Sequence, residues 1–372
     1  MTTFLISACH CGRNKFKLLI TTSSLPHIVS LCHCNICRHT TGAMCLNDSP
    51  FDGEPLSIDS TEDHHIPGDL SHLTTYHTPK YRRLFCTTCS AHMFMVSDEA
   101  TKDGKSAWTA MWGVDTTDGI WTISRHIYVG DTLDGGLADH FRTLRGKGLP
   151  RFEGSSAESS SRNELPIGWK AVKGRVNPET LPLYCNCGGV KLYLTRAQNV
   201  NPDEYWLVPG KEPGEPIQFL AEHCLCTSCR RCSGNQIQTW IYVPNENIFD
   251  ALTNAPIDLD NLDKRPKALK QYVSSEGVRR ESCGTCGAAV FWSREMKDGE
   301  RPHMSVAAGL IDQDATGGAR AEAWIAWDPK LTYGEDALNK EMATALQEGL
   351  SEFLESERQK WLMKSNRLYY IR

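Results

Sequence analysis

Sixteen cysteines in two groups with the same internal spacing constrain this 372-residue chain more than any other feature. The first group is Cys9, Cys11, Cys32, Cys34, Cys37, Cys45, Cys86 and Cys89; the second is Cys185, Cys187, Cys224, Cys226, Cys229, Cys232, Cys283 and Cys286. Each group runs C-x-C, then C-x-C-x-x-C, then C-x-x-C, which places seven of its cysteines in one pattern. Neighbouring residues repeat as well: Cys11-Gly12 with Cys187-Gly188, Cys37-Arg38 with Cys229-Arg230, Thr41-Gly42 with Ser233-Gly234, and Arg83-Leu84-Phe85-Cys86 with Arg280-Glu281-Ser282-Cys283. So many matches in one order mark a tandem duplication. Cys185 lies 176 residues after Cys9 and Cys286 lies 197 after Cys89, so the second copy holds 21 extra residues. Pro202, Pro209, Pro213 and Pro216 assign most of them to a long loop before Cys224.

At roughly 150 residues per domain, two copies account for the chain. We divide it into a first module at 1–150, a linker at 151–170, a second module at 171–335 and a C-terminal helical segment at 336–372. The linker is assigned on Gly154-Ser155-Ser156-Ala157-Glu158-Ser159-Ser160-Ser161, a flexible composition. Short β-branched and aromatic runs predict strands at Phe16–Ile20, Val190–Leu194, Thr239–Val243 and Ala288–Trp292, and a longer or bent strand at Ile120–Val129. From Asp336 to Lys364 the apolar residues Leu338, Met342, Ala345, Leu346, Leu350, Phe353, Leu354 and Trp361 recur at helical spacing. That predicts an amphipathic packing helix, with a break at Gly349. The fold class expected from these signals is mainly β, in two tandem modules with a C-terminal α-helix.

The N-terminus, Met1-Thr2-Thr3-Phe4-Leu5-Ile6-Ser7, lacks the basic region and long apolar run of a secretory signal, so a reducing location is expected: cytoplasm, with the nucleus as the other such compartment. Clustered thiols in a reducing compartment point to metal rather than disulfides. Zinc takes four protein ligands in structural sites and three plus an open position in catalytic ones. Seven cysteines divide as four plus three: the C-x-C and C-x-x-C pairs close one tetrahedron, and the C-x-C-x-x-C run offers three sulfurs. For the first set the competing reading is buried free thiols; for the second it is a structural zinc completed by another side chain. Cys45 and Cys232 are left over and read as free buried thiols, although Cys232 is close enough in sequence to Cys229 to compete as a ligand. Net charge is −5, from 40 basic and 45 acidic residues with no basic stripe, so nucleic acid is not an expected partner. No segment approaches the roughly 18 apolar residues of a membrane helix, and no membrane association is expected.

The combination of Cys9-His10-Cys11-Gly12, Cys32-His33-Cys34-Asn35-Ile36-Cys37-Arg38 with Gly42, Phe85-Cys86-x-x-Cys89 and Arg125-His126-Ile127-Tyr128-Val129 resembles the glutathione-dependent formaldehyde-activating family, which includes centromere protein V. The second copy matches through Cys185-x-Cys187-Gly188-Gly189-Val190, Cys224-x-Cys226-x-x-Cys229-Arg230 with Ser233-Gly234, and Cys283-x-x-Cys286-Gly287. The resemblance implies a mainly β fold of two tandem zinc-binding modules of coiled β-sheets, with two zinc ions per module, about four per chain. It implies a structural zinc on Cys9, Cys11, Cys86 and Cys89, and again on Cys185, Cys187, Cys283 and Cys286. A catalytic zinc with an open position would sit on Cys32, Cys34 and Cys37, and again on Cys224, Cys226 and Cys229. The implied activity is a zinc-dependent carbon–sulfur lyase acting on a small-molecule thiol or glutathione adduct of the S-hydroxymethylglutathione kind. The alternative is a non-enzymatic zinc scaffold that binds a protein or chromatin partner.

The sequence departs from the family at Ser90, where glycine is usual, and at Leu225, where the first copy has His33. It also lacks a counterpart to His126, because Ala323-Trp324-Ile325-Ala326-Trp327 occupies that stretch. Activity is therefore expected to rest more on the first module. The catalytic acid or base is not singled out. His126 reads equally as a satisfied structural histidine, and His64 and His65 as solvated loop residues. Arg38 and Arg230 read either as carboxylate anchors for glutathione or as ordinary structural arginines.

Overall fold

The computed structural model describes residues 1–100, 106–155, 163–171, 176–201, 204–210, 214–261 and 265–369, with side chains up to 359. Most of the serine-rich linker (156–161), Pro202, Pro213 and the side chain of Trp361 lie outside the described residues. The first module contains β1 (Thr2–Ala8), β2 (Lys15–Thr21), β3 (His27–Cys32), α1 (Asn35–Thr41), β4 (Leu46–Pro50), β5 (Asp52–Ser57), β6 (Leu73–His77), β7 (Tyr81–Cys86), β8 (His92–Ala100), β9 (Ser106–Met111) and β10 (Trp121–Ile127). A two-stranded ribbon, β11 (Thr143–Leu144) and β12 (Lys147–Gly148), follows. The second module contains β13 (Leu181–Tyr184), β14 (Lys191–Leu194), β15 (Leu207–Val208), β16 (Gln218–Cys224), α2 (Thr227–Ser233), β17 (Gln238–Pro244), β18 (Ile248–Asp250), β19 (Leu269–Ser275), β20 (Val278–Cys283), β21 (Ala289–Arg294), β22 (His303–Ala307), α3 (Gln313–Thr316) and β23 (Ile325–Trp327). The helix α4 (Lys340–Tyr369) closes the chain.

The duplication read from the cysteines is visible in the strand order. In the first module, β1-β2-β5 form a small sheet and β10-β3-β4-β9-β8-β7-β6 a large one. In the second, β13-β14-β18 repeat the small sheet, and β16-β17-β22-β21-β20-β19 with β23 against β16 repeat the large one. The strands predicted from short apolar runs match β2, β14, β17, β21 and β10, with Val190 and Ala288 one residue outside β14 and β21 and β10 ending at Ile127 rather than Val129. β2 shows why: Phe16, Leu18 and Ile20 alternate inward at the two-residue period of a strand and are buried. β10 carries the expected bend as a register shift between Ile123 and Arg125. The 21-residue insertion is not all loop. Leu207–Val208 pair with β16 as an added edge strand, because Trp206 and Leu207 have apolar surface to bury.

The two modules share one hydrophobic core and interlock through the short helices. α1 ends at Gly42 and α2 at Gly234, each in the left-handed conformation with φ of 76° and 75°. The Gly42 carbonyl accepts from Gly309 N at 3.0 Å, and the Gly234 carbonyl from Trp112 N at 2.8 Å. A Cβ at Gly42 would lie 2.3 Å from the Ala289 carbonyl oxygen, and one at Gly234 2.2 Å from that of His92. Each glycine thus ends its helix and lets it dock against the backbone of the other module. Left-handed strain and a backbone clash act together, so Gly42→Ala or Gly234→Ala should cost about 2–4 kcal/mol. Thermal melts compared with an alanine substitution at the exposed Gly53 or Gly119 check this; equal melting temperatures would refute the docking role.

α4 lies over the junction and buries Met342, Leu346, Leu350 and Phe353, each a gain of about 1.5–3 kcal/mol before entropy is counted. The break expected at Gly349 does not occur. A Cβ there would sit 2.4 Å from the His140 carbonyl oxygen, so the glycine allows close packing of a continuous helix. No helix among the described residues is long and apolar enough to cross a membrane.

Candidate metal centres

Four groups of thiols converge. Cys9 and Cys11 lie at the β1–β2 turn, and Cys86 and Cys89 at the β7–β8 turn. Although Cys11 and Cys86 are 75 residues apart, their sulfurs approach to 3.6 Å, and Cys9 and Cys11 to 3.4 Å. In the second module Cys185 and Cys187 are 3.5 Å apart, and Cys187 and Cys283 3.4 Å, across 96 residues. Cys89 and Cys286 complete these groups, each with all four sulfurs within 4.8 Å of one another. Four sulfurs about 2.3 Å from a zinc ion stand about 3.8 Å apart, and these clusters are near that size. All sixteen cysteines are free thiols. Backbone amides point at the sulfurs, with Asn14 N to Cys9 at 3.3 Å, Thr88 N to Cys86 at 3.3 Å and Val190 N to Cys185 at 3.3 Å. Such donors suit thiolate acceptors, so these residues fit a thiolate-bound metal.

The other two groups hold three thiols each: Cys32, Cys34 and Cys37, and Cys224, Cys226 and Cys229. The first cysteine ends β3 or β16, and the second caps α1 or α2 by accepting from the third residue's amide, at 3.4 and 3.2 Å. Among the described residues, no fourth histidine, cysteine or carboxylate donor lies within 4.8 Å of all three sulfurs. Cys45 and Cys232 join neither triplet, and burial pushes each thiol up to about 12.

An arginine stands against each triplet. Arg83 of β7 donates through Nη2 to Cys37 Sγ at 3.3 Å, and Arg280 of β20 reaches Cys229 Sγ at 3.6 Å through Nη1 and Nη2. The Cys37 thiol is drawn well below its usual range by hydrogen bonds from Cys32 and Cys34 and by the Arg83 charge. Sequence reasoning missed these arginines as site residues. Their signal was present in the repeated Arg83 and Arg280, three residues before Cys86 and Cys283. Each module also brings a carboxyl near its triplet. Burial and the charge of Cys37 push Asp48 up to about 6, and burial raises Glu222, which accepts hydrogen bonds from Thr332 and Tyr242. Tyr128 and Tyr333, just after the strand segments beside the triplets, both hold left-handed backbones with φ of 55° and 54°. Such strain in a non-glycine residue is characteristic of functional sites.

Other residues singled out from sequence have structural surroundings. Arg38 is fully buried and donates to Asn35 and Gln313, while Arg230 donates to the Trp112 and Val114 carbonyls, so both brace the module interface. His33 Nε2 and His126 Nδ1 lie 2.9 Å apart, and His126 Nε2 meets the Phe141 carbonyl at 2.8 Å; both rings are buried. In the second module Thr332 pairs with Cys224 as Ile127 does with Cys32, so Leu331 holds the place of His126 beside Leu225. The stretch Ile325–Trp327 corresponds instead to Trp121–Ile123. Ser90 adopts the left-handed conformation that Gly287 adopts in the second module, and its hydroxyl accepts from Ser282 across the interface at 2.6 Å. His64 and His65 are exposed.

The family model described as glutathione-dependent formaldehyde-activating enzyme matches residues 5–131 and again 211–327. The chain belongs to this family. It carries two tandem copies of the family domain. The second match begins after Cys185 and Cys187, yet the fold brings that pair back to Cys283 and Cys286 across the inserted residues. No curated protein matches the chain. Members of the formaldehyde-activating family are named for chemistry on glutathione, and the four thiol groups, two per copy, could hold metal ions.

Proposed function

We propose that this chain is a zinc-dependent carbon–sulfur lyase acting on S-hydroxymethyl adducts of glutathione or a related thiol. The observation that carries the reading is the pair of three-thiol sites without a fourth protein donor among the described residues, each with an arginine against one sulfur. Cys9, Cys11, Cys86 and Cys89, with Cys185, Cys187, Cys283 and Cys286, would hold structural zinc; Cys32, Cys34 and Cys37, with Cys224, Cys226 and Cys229, would hold the reactive ions. Bound there, zinc supplies a Lewis acid that stabilises a substrate sulfur as thiolate.

In the cleavage direction the carbon–sulfur bond breaks with its electron pair passing to sulfur. The hydroxyl group loses its proton and its oxygen becomes the carbonyl oxygen of formaldehyde. In the first module Asp48 is a carboxyl available to take that proton, held by burial in a range where it exchanges protons near neutrality. In the second, Glu222 with Tyr242 has the same part. Tyr128 and Tyr333 flank the respective sites.

Two measurements test this. Elemental analysis of the reduced, folded protein should approach four zinc ions per chain; a value near zero would end the metal assignment. Exchange NMR on glutathione and formaldehyde should show interconversion with the adduct faster than in protein-free buffer. An unchanged rate would sink the lyase reading.

A further inference from the structure

Arg83 is 2 % exposed, yet no carboxylate pairs with it among the described residues. Its Nη2 meets Cys37 Sγ, while Nε and Nη1 are buried without a hydrogen-bond partner among those residues. A buried guanidinium with spare donors is costly unless an anion compensates it. Arg280 repeats the arrangement in the second module, with Nε on Ser274 Oγ at 3.3 Å and both amino groups facing Cys229. Among the described residues, no arginine is hydrogen bonded to the eight cysteines of the four-thiol groups, where backbone amides predominate. The arginines therefore follow the open sites, not thiolate clusters in general.

Charge gives the reason. A divalent ion with three thiolates sums to minus one, and an adjacent arginine brings the site to neutral while the nearby carboxyl, Asp48 or Glu222, holds its proton. A fourth, anionic ligand then leaves minus one in a buried place rather than minus two. We propose that Arg83 and Arg280 are positioning residues whose charge raises the affinity of the three-thiol sites for an anionic fourth ligand, a thiolate, relative to a neutral one. This inference rests on the zinc reading above but not on any particular turnover.

The test uses full-length protein loaded with cobalt(II), whose visible spectrum reports a new fourth ligand. Cys226→Ser leaves the first module's open site to be read, and Cys34→Ser leaves the second's. Glutathione and azide serve as anionic probes and imidazole as the neutral one. Arg83→Gln should weaken glutathione and azide at least tenfold while imidazole changes less than threefold. Arg83→Lys should restore most of the anion preference. Arg280→Gln at its half-buried position gives an independent reading if Arg83→Gln does not fold. Equal changes for anions and imidazole, or no change, would overturn the assignment. If the parent takes azide but not glutathione, the anion preference stands and the thiol-substrate reading falls. If it takes glutathione and the arginine variants keep the preference, the reverse holds.

Discussion

A chain carrying Cys86→Ser should fail to reach the native fold at physiological temperature. Cys86 joins the β7–β8 turn of the large sheet to the β1–β2 turn of the small one, so a metal bound there pins two sheets that share no strand. Structural zinc contributes about 10–16 kcal/mol in small domains, as much as the whole stability of a typical one. The damage should cross into the second module. His10, between Cys9 and Cys11, bonds through its amide to the Arg231 carbonyl, and through its ring to Ser228 and Tyr272. Asn186 does the reverse, bonding to the His39 carbonyl and Tyr76. Calorimetry should show one cooperative transition for the parent and a lost or broadened one for Cys86→Ser and for Cys283→Ser. A variant melting within a few degrees of the parent would remove that cysteine from the ligand set.

The second large effect is on turnover. The double variant Cys34→Ser/Cys226→Ser should stay folded, keep about two zinc ions and lose at least a thousandfold in adduct cleavage. Both substituted residues lie in the open sites, away from the clusters that join the sheets. From sequence, activity was expected to concentrate in the first module because only it has His33 and His126. In the structure the two rings are buried against each other and the Phe141 carbonyl, and Leu225 and Leu331 hold the corresponding register positions in the second module. The second site also keeps its arginine and has its own carboxyl. Each single variant should therefore retain activity, within about tenfold of the other. Full activity in the double variant would place the chemistry elsewhere.

The cysteine grouping was legible because ligand spacing is local: a C-x-C at a hairpin turn and a C-x-C-x-x-C running from strand into helix declare themselves in a few residues. Duplication made the signal stronger by repeating each spacing in the same order. What lay beyond the sequence depends on contacts between distant segments. Nothing in the residues around Arg83 says that its side chain reaches Cys37, 46 residues earlier in the chain. Gly349 reads as a helix breaker until His140 is seen against it. Gly42 and Gly234 repeat in sequence, but their role comes from backbone of the opposite module. The insertion reads as loop from its prolines, while Trp206 and Leu207 follow the apolar surface they cover.

The reciprocal docking of α1 and α2 has a consequence for how the two halves can change over time. Were the modules separate identical chains, their pairing would weaken on dilution, and every substitution would appear on both sides of the contact at once. Joined in one polypeptide, they assemble at any concentration, and each half mutates alone. Leu46 and Gln238 sit opposite the first cysteine of each triplet, so Asp48 of one half corresponds to Trp240 of the other. One copy has an acid where the other has an indole, and the acid of the second copy stands on β16 instead. Covalent union thus lets a single ancestral pocket become two with different linings, while a common interior keeps both folded.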